Sequence, residues 1–271
     1  MNEMFKEVFE RDFTYVEGFR RVVRKFPEKE AMIDPQKERA WTYRQLNEDE
    51  NRFANALAGA GVKKGDLVMY QLLNCPEFVY SYLAPPKLGA VTNPANYNFS
   101  PSETVVCLNS SRPKVYVYDE SLKSMVLKAL ESSPHKPDTV VMVGEGEVPE
   151  GHVGFDAFVE GFPVTEPETD YVPHMYDEVA RLFTSGTTGA PKPVSHTHKT
   201  LFFIGLGNAL TYNEGYNSVY LAPHPFYHSG TLFLSFPCYI AAGKVLMPMD
   251  LKPEFYLKSM ADEKCTGGWN T

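Results

Sequence analysis

The 271-residue sequence is poor in cysteine, with four (Cys75, Cys107, Cys238 and Cys265), and in tryptophan, with two. The cysteines stand far apart, form no C-x-x-C pair and do not cluster with histidines, so neither a disulfide framework nor a zinc site fits their spacing. Positive charge is also scarce: 26 Lys and Arg against 34 Asp and Glu leave a formal net charge of −8. That balance gives no long-range attraction to phosphate backbones or anionic lipid, which speaks against a nucleic-acid partner and leaves room only for a local basic pocket that takes a small anion. No apolar run reaches the roughly 18 residues of a membrane helix, and the charged, amphipathic opening MNEMFKEVFERDFTYVEGFRR has no signal-peptide core. The expectation is a cytoplasmic protein with reduced thiols and no membrane span.

A hydrophobic fraction of 43% is enough to bury a substantial core, and the length suits one large or two ordinary domains. Helix and strand signals alternate almost throughout. Phe19, Val22, Val23 and Phe26 recur with helical period and are stopped by Pro27. A short strand AMID (31–34) follows, then a helix capped by Thr42, carrying Leu46, Phe53, Leu57 and Ala58 and ended by Gly59 and Gly61. Further strands are expected at 66–73, 90–94, 114–119 and 139–144, with helices between them. One begins at Pro76 and another is opened by Ser100-Pro101-Ser102-Glu103. Strands alternating with helices of about ten residues predict parallel βαβ units in a doubly wound α/β sheet.

The Gly-, Pro- and Glu-rich stretch 145–176 breaks this rhythm and reads as a partly ordered surface excursion. Beyond it, residues 179–189 start as a strand and become a Ser/Thr/Gly loop. Residues 197–210 read as a helix, 218–223 as a strand, 229–242 as one apolar helix, 244–248 as a strand and 253–263 as a last helix.

The stretch Leu182-Phe183-Thr184-Ser185-Gly186-Thr187-Thr188-Gly189-Ala190-Pro191-Lys192 carries the strongest chemical signal. Two glycines let backbone N–H groups approach a phosphate, the hydroxyls add donors, and Lys192 supplies a point charge. It is not a Walker A loop, because that pattern needs Gly at 191 and Ser or Thr at 193, and both positions hold proline. On composition alone a polar turn between two elements satisfies the same string.

The order of several motifs narrows the choice. T-S-G-T-T-G-x-P-K at 184–192, preceded by a hydrophobic run and followed by Thr197-His198, resembles the signature phosphate loop of the adenylate-forming superfamily, which includes acyl-CoA synthetases, adenylation domains and luciferases. Trp41-Thr42-Tyr43-Arg44-Gln45-Leu46 resembles that family's L-T-Y-x-E-L motif, and Leu88-Gly89-Ala90-Val91-Thr92-Asn93-Pro94 resembles its K-x-G-A-x-x-x-P segment. Asp177-Glu178-Val179-Ala180 is similar to the D-D-x-A lead-in to the loop, and Pro225-Phe226-Tyr227-His228-Ser229-Gly230 to the P-x-F-H-x-x-G motif.

The resemblance implies an AMP-forming acyl-CoA synthetase, which joins a carboxylic acid to AMP from ATP and then passes the acyl group to coenzyme A. It assigns Thr184, Ser185, Gly186, Thr187, Thr188, Gly189 and Lys192 to the ATP phosphates, with Mg2+ bridging those phosphates. It assigns His228 to a gate beside the acyl carboxylate and the pantetheine passage. It implies a first α/β subdomain at 63–205 with the phosphate loop, and an incomplete second α/β subdomain built from 1–62 and 206–271. The chain is thus expected to be the truncated N-terminal part of an acyl-CoA synthetase-like fold. The family's Y-G-x-T-E-like adenine segment, ribose-binding aspartate and catalytic lysine have no counterpart between Met1 and Thr271. The implied chain is inactive alone, and an unfinished sheet favours a homo-oligomer or a partner chain that supplies the rest. Alternatives within the resemblance are a noncatalytic or split-subunit protein and an adenylation domain that charges a carrier protein.

Two departures from the family pattern bear on structure. Pro193 stands where glycine is usual, which removes a backbone donor just after Lys192. Pro85-Pro86 falls inside the family's continuous helix, so the helix from Pro76 is expected to stop near Leu83. His196 and His198 form an H-x-H pair, but no third ligand lies at motif spacing, and the simpler reading places Thr197-His198 at a helix start. Gly205-Leu206-Gly207 lacks the third glycine of a dinucleotide fingerprint and reads as a helix-packing site.

Overall fold

The computed structural model describes residues 3–184, 190–248 and 252–268. Its strands are β1 (Glu30–Asp34), β2 (Arg39–Thr42), β3 (Leu67–Gln71), β4 (Val91–Pro94), β5 (Val115–Asp119), β6 (Thr139–Val143), β7 (Val153–Gly154), β8 (Glu178–Phe183), β9 (Pro193–Thr197), β10 (Val219–Leu221), β11 (Lys244–Leu246) and β12 (Gly267–Gly268). Its helices are α1 (Glu3–Asp12), α2 (Tyr15–Lys25), α3 (Tyr43–Gly59), α4 (Pro76–Leu83), α5 (Pro101–Ser111), α6 (Lys123–Ser132), α7 (Phe155–Val159), α8 (His198–Thr211), α9 (Ser229–Ser235), α10 (Pro237–Ile240) and α11 (Pro253–Asp262).

Two sheets result. The first runs β7-β6-β5-β3-β4-β8-β9, all parallel except the β8–β9 hairpin at one edge. The second runs β12-β10-β11-β1-β2, parallel except for the β1–β2 hairpin. Every residue of β3 is buried, as expected of a parallel strand covered on both faces. The main core lies between the sheets, where Tyr15, Phe19, Phe53, Tyr70, Phe78, Phe226, Phe236 and Tyr239 belong to one cluster. A second cluster, around Met69, Tyr116 and Tyr118, covers the other face of the first sheet beneath α5 and α6.

Local chemistry sets several boundaries where the sequence predicted them. Thr42 and Ser100 each complete a capping box, with Gln45 and Glu103 respectively. α4 ends at Leu83, and Pro85–Leu88 forms a 3-10 turn closed by Gly89 at φ +71. A proline tolerated at the first turn of a new helical segment is what stops the α-helix without leaving a broken bond in its interior.

Three expectations need correction. Residues 145–176, expected to be a partly ordered surface excursion, are tied down more than that: β7 extends the first sheet, α7 packs Phe155 and Phe158 on Phe53, and Asn51 and Asn55 hold the carbonyls of Pro163, Val164 and Thr165. The ordering comes from long-range partners that local periodicity does not register. The apolar run 229–242 is two short helices, α9 and α10, because Pro237 opens a new helical turn after Phe236. Residues 193–197 form strand β9, which the sequence did not suggest because proline opens it.

Candidate active site

The described ends of the predicted phosphate loop close on each other. The Thr184 N–H donates to the Lys192 carbonyl at 2.9 Å, and the Lys192 N–H donates to Thr184 Oγ1 at 3.3 Å. The antiparallel β8–β9 pair therefore carries its hydrogen-bonded geometry into the mouth of the loop, with Thr184 and Lys192 both exposed there. Ser185, Gly186, Thr187, Thr188 and Gly189 lie outside the described residues.

This geometry also accounts for Pro193. Residues 184 and 192 are a hydrogen-bonded pair, so the neighbouring pair Phe183 and Pro193 is non-hydrogen-bonded and the proline nitrogen faces away from β8. An edge strand is where a missing strand donor does least harm. The hairpin is braced by Glu178, whose carboxylate takes two bonds from Arg181 (2.8 and 2.7 Å) and one from Ser195 Oγ (2.6 Å). Those donors hold its carboxyl below the usual range even though burial pushes the other way.

His228 is placed by different means. It is exposed, and it caps α9 by accepting the Gly230 N–H on Nδ1 at 3.2 Å. Its own N–H closes a turn onto the Pro225 carbonyl at 3.1 Å. β9 reaches α9 through His196, whose ring meets Phe233 edge-on at 5.0 Å. The loop 184–192 leaves the carboxyl end of β8 and the His228 turn follows the carboxyl end of β10. In α/β sheets that side of the strands is where ligands bind.

The H-x-H histidines face separate partners. His196 packs on Phe233, whereas His198 is buried at the start of α8, with Nε2 3.4 Å from the Tyr171 hydroxyl. Burial lowers His198 to about 4, partly opposed by Asp177. Among the described residues, no group of three or more His, Cys, Asp or Glu is placed to hold a metal ion. Gly205 is a packing position: a Cβ there would lie 2.5 Å from Ile240 Cδ1 of α10.

Sequence reasoning missed Asn74. This buried residue donates from Nδ2 to the His224 carbonyl and accepts the Phe226 N–H on Oδ1, both at 2.8 Å. Its one local signal is a position just before the helix opened by Cys75-Pro76, where asparagine is too common to single out.

The family model for AMP-binding enzymes matches residues 19–269. The chain belongs to that family. The crotonobetaine/carnitine–CoA ligase of Proteus mirabilis is 34% identical over 196 residues, which cover 71% of this chain and 37% of the ligase. The long-chain-fatty-acid–CoA ligase FadD13 of Mycobacterium tuberculosis is 28% identical over 244 residues, covering 89% of this chain and 46% of that one. Among solved structures, an anthranilate CoA ligase, AuaEII, in complex with anthranoyl-AMP superposes with a TM-score of 0.83 at 26% identity, over 95% of this chain and 49% of that one. The N-terminal domain of FACL13 from Mycobacterium tuberculosis matches with a TM-score of 0.80 at 26% identity, over 93% of this chain and 61% of that one. The chain thus spans less than half the length of these curated relatives and corresponds to the N-terminal portion of an adenylate-forming enzyme. Its fold is the mixed α/β fold of acyl-CoA ligases. Among the described residues, no helix is long and apolar enough to cross a membrane.

Proposed function

We propose that this chain is the phosphate-binding, acid-facing portion of an AMP-forming acid–CoA ligase. The observation that carries the reading is the closed mouth of the loop 184–192: strand pairing fixes Thr184 and Lys192 side by side at the carboxyl end of β8, in a chain of the AMP-binding family. Thr184, Ser185, Gly186, Thr187, Thr188, Gly189 and Lys192 take the β- and γ-phosphates of ATP, with Mg2+ held chiefly by the phosphate oxygens. Charge builds on those oxygens as pyrophosphate leaves, so N–H donors and one ammonium favour the transition state without a protein nucleophile. His228 borders the acid carboxylate and the path of the coenzyme A thiol. Residues 63–205 form the subdomain that carries the loop, and 1–62 with 206–271 contribute to the second.

The test is calorimetric titration with MgATP and with pyrophosphate, alongside ATP–pyrophosphate exchange over a panel of aliphatic and aromatic acids. Binding of both anions, weakened about 10- to 100-fold by Lys192→Ala as expected for losing a charge-assisted contact, supports the phosphate site. No binding by the unmodified chain overturns it. Turnover needs the parts of the relatives that this chain does not span, so robust exchange by the 271 residues alone sinks that part of the reading.

A further inference from the structure

Beside the proposed acid gate, one buried carboxamide bridges from the first sheet to the second. Asn74 lies beyond the carboxyl end of β3 in the first sheet, and residues 224–228 lie beyond the carboxyl end of β10 in the second. Its carboxamide donates to the His224 carbonyl and accepts the Phe226 N–H, each at 2.8 Å. A residue of a parallel strand makes that same pattern, one bond to each side of the residue opposite it. The residue opposite is Pro225, which has no N–H of its own.

From there the order passes to His228 through short links. Phe226 is fully buried against Phe78 and Phe236, at ring distances of 5.4 and 5.6 Å. Tyr227 is held edge-on by Tyr97 at 5.1 Å. The Pro225 carbonyl then takes the His228 N–H, and His228 Nδ1 takes the Gly230 N–H. A neutral imidazole that accepts on Nδ1 carries its proton on Nε2.

We infer that Asn74 is a positioning residue for His228: by standing in for a strand partner on either side of Pro225, it fixes the turn 225–228 so that the imidazole presents Nε2–H as a donor to the acid carboxylate. The role assigned to the carboxylate rests on the function proposed above, whereas the positioning does not. Aspartate at 74 keeps the shape and the acceptor but turns an oxygen toward the His224 carbonyl. Alanine removes both bonds and leaves the Phe226 N–H buried without them.

Asn74→Asp and Asn74→Ala are compared with the unmodified chain by backbone amide exchange and by 15N NMR of the His228 ring. Both variants are expected to change the His228 tautomer signals, and Asn74→Ala to speed exchange at Phe226 and His228 by about tenfold or more, as for a lost buried hydrogen bond. A variant with a lower melting temperature but unchanged Phe226 exchange and ring signals overturns the inference. If Asn74→Ala does not fold, the ring signals of Asn74→Asp decide by themselves.

A second arm measures affinity for N-benzoyl and N-dodecanoyl sulfamoyl adenosine against affinity for MgATP. Weaker binding of an acyl probe by Asn74→Asp with MgATP unchanged supports the inference. Equal acyl-probe binding by variant and parent overturns the link from Asn74 to the acid site. Failure of the parent to bind either acyl probe overturns the acid-site reading of His228 itself, and the exchange and ring measurements then still decide the positioning.

Discussion

The Lys87 ammonium lies 3.4 Å from a Glu50 carboxylate oxygen, and each side chain is only 1% exposed. Lys87 also reaches Asn47 Oδ1 at 2.9 Å, Asn51 Oδ1 at 2.5 Å and Glu166 Oε1 at 2.9 Å. Glu166 in turn holds Arg20 of α2. One buried cation thereby ties the 3-10 turn after α4, the face of α3 and the segment that follows α7. Glu50 Oε2 has no hydrogen-bond partner, so the carboxylate depends on Lys87 for compensation.

Lys87→Met is expected to lower unfolding free energy by about 3–5 kcal/mol, because it leaves a buried carboxylate without its counter-charge. Adding Glu50→Gln should recover part of that loss. Urea melts of both single variants and the double variant measure the coupling; purely additive effects would refute it.

Burial raises the Glu50 carboxyl from 4.5 to about 7, with Lys87 opposing the rise. Between those values the folded chain retains a proton that the unfolded chain has released. The contribution of this group to stability therefore falls as pH rises from 4.5 toward 7 and levels off above. Glu50→Gln should remove that slope, seen as the difference between the two proteins' stability–pH curves. Asp177, held below its usual range, acts in the opposite sense at lower pH and the difference curve subtracts it, whereas Glu166 shares Lys87 with Glu50, so its titration shifts with the substitution and adds a change confined to the acid side.

Gly89→Ala should cost about 1–3 kcal/mol. Gly89 sits at φ +71, and an added Cβ would come within 2.8 Å of the Tyr171 ring. Tyr171→Ala in the same chain should relieve the clash and leave the backbone strain. Chemical denaturation of the set separates the two; a neutral Gly89→Ala would contradict the packing described.

Tyr43 donates its hydroxyl to the Gly243 carbonyl at 2.7 Å, with the Cys238 carbonyl at 3.2 Å, in a fully buried position. Tyr43→Phe is expected to destabilise by about 1–2 kcal/mol, since a buried acceptor loses its donor while the packing volume is kept. A thermal melt unchanged from the parent would count against that bond as a stabilising one.

The alternation of strands and helices was legible because it rests on local patterns. Thr42 with Gln45, Ser100 with Glu103, and Pro85-Pro86 each act within a few residues, and each boundary appears where the sequence put it. The stretch 145–176 was not legible, since its order comes from Asn51, Asn55, Lys87 and Phe53, all far away in sequence. Strand β9 was hidden by Pro193, whose outward nitrogen is acceptable only because the strand is an edge.

For the candidate site, the ordered motifs pointed to the family and to the loop around Lys192, because residue type and spacing carry that information along the chain. They carried nothing about Asn74. Its amide is an ordinary asparagine until the two sheets bring it opposite Pro225. Local chemistry thus determined most of the elements and their caps, and motif order the family, while tertiary structure alone decided β9, the order of 145–176 and which distant polar groups meet. A hydrogen bond across 150 positions depends on how the sheets pack, and no short window of sequence contains that packing.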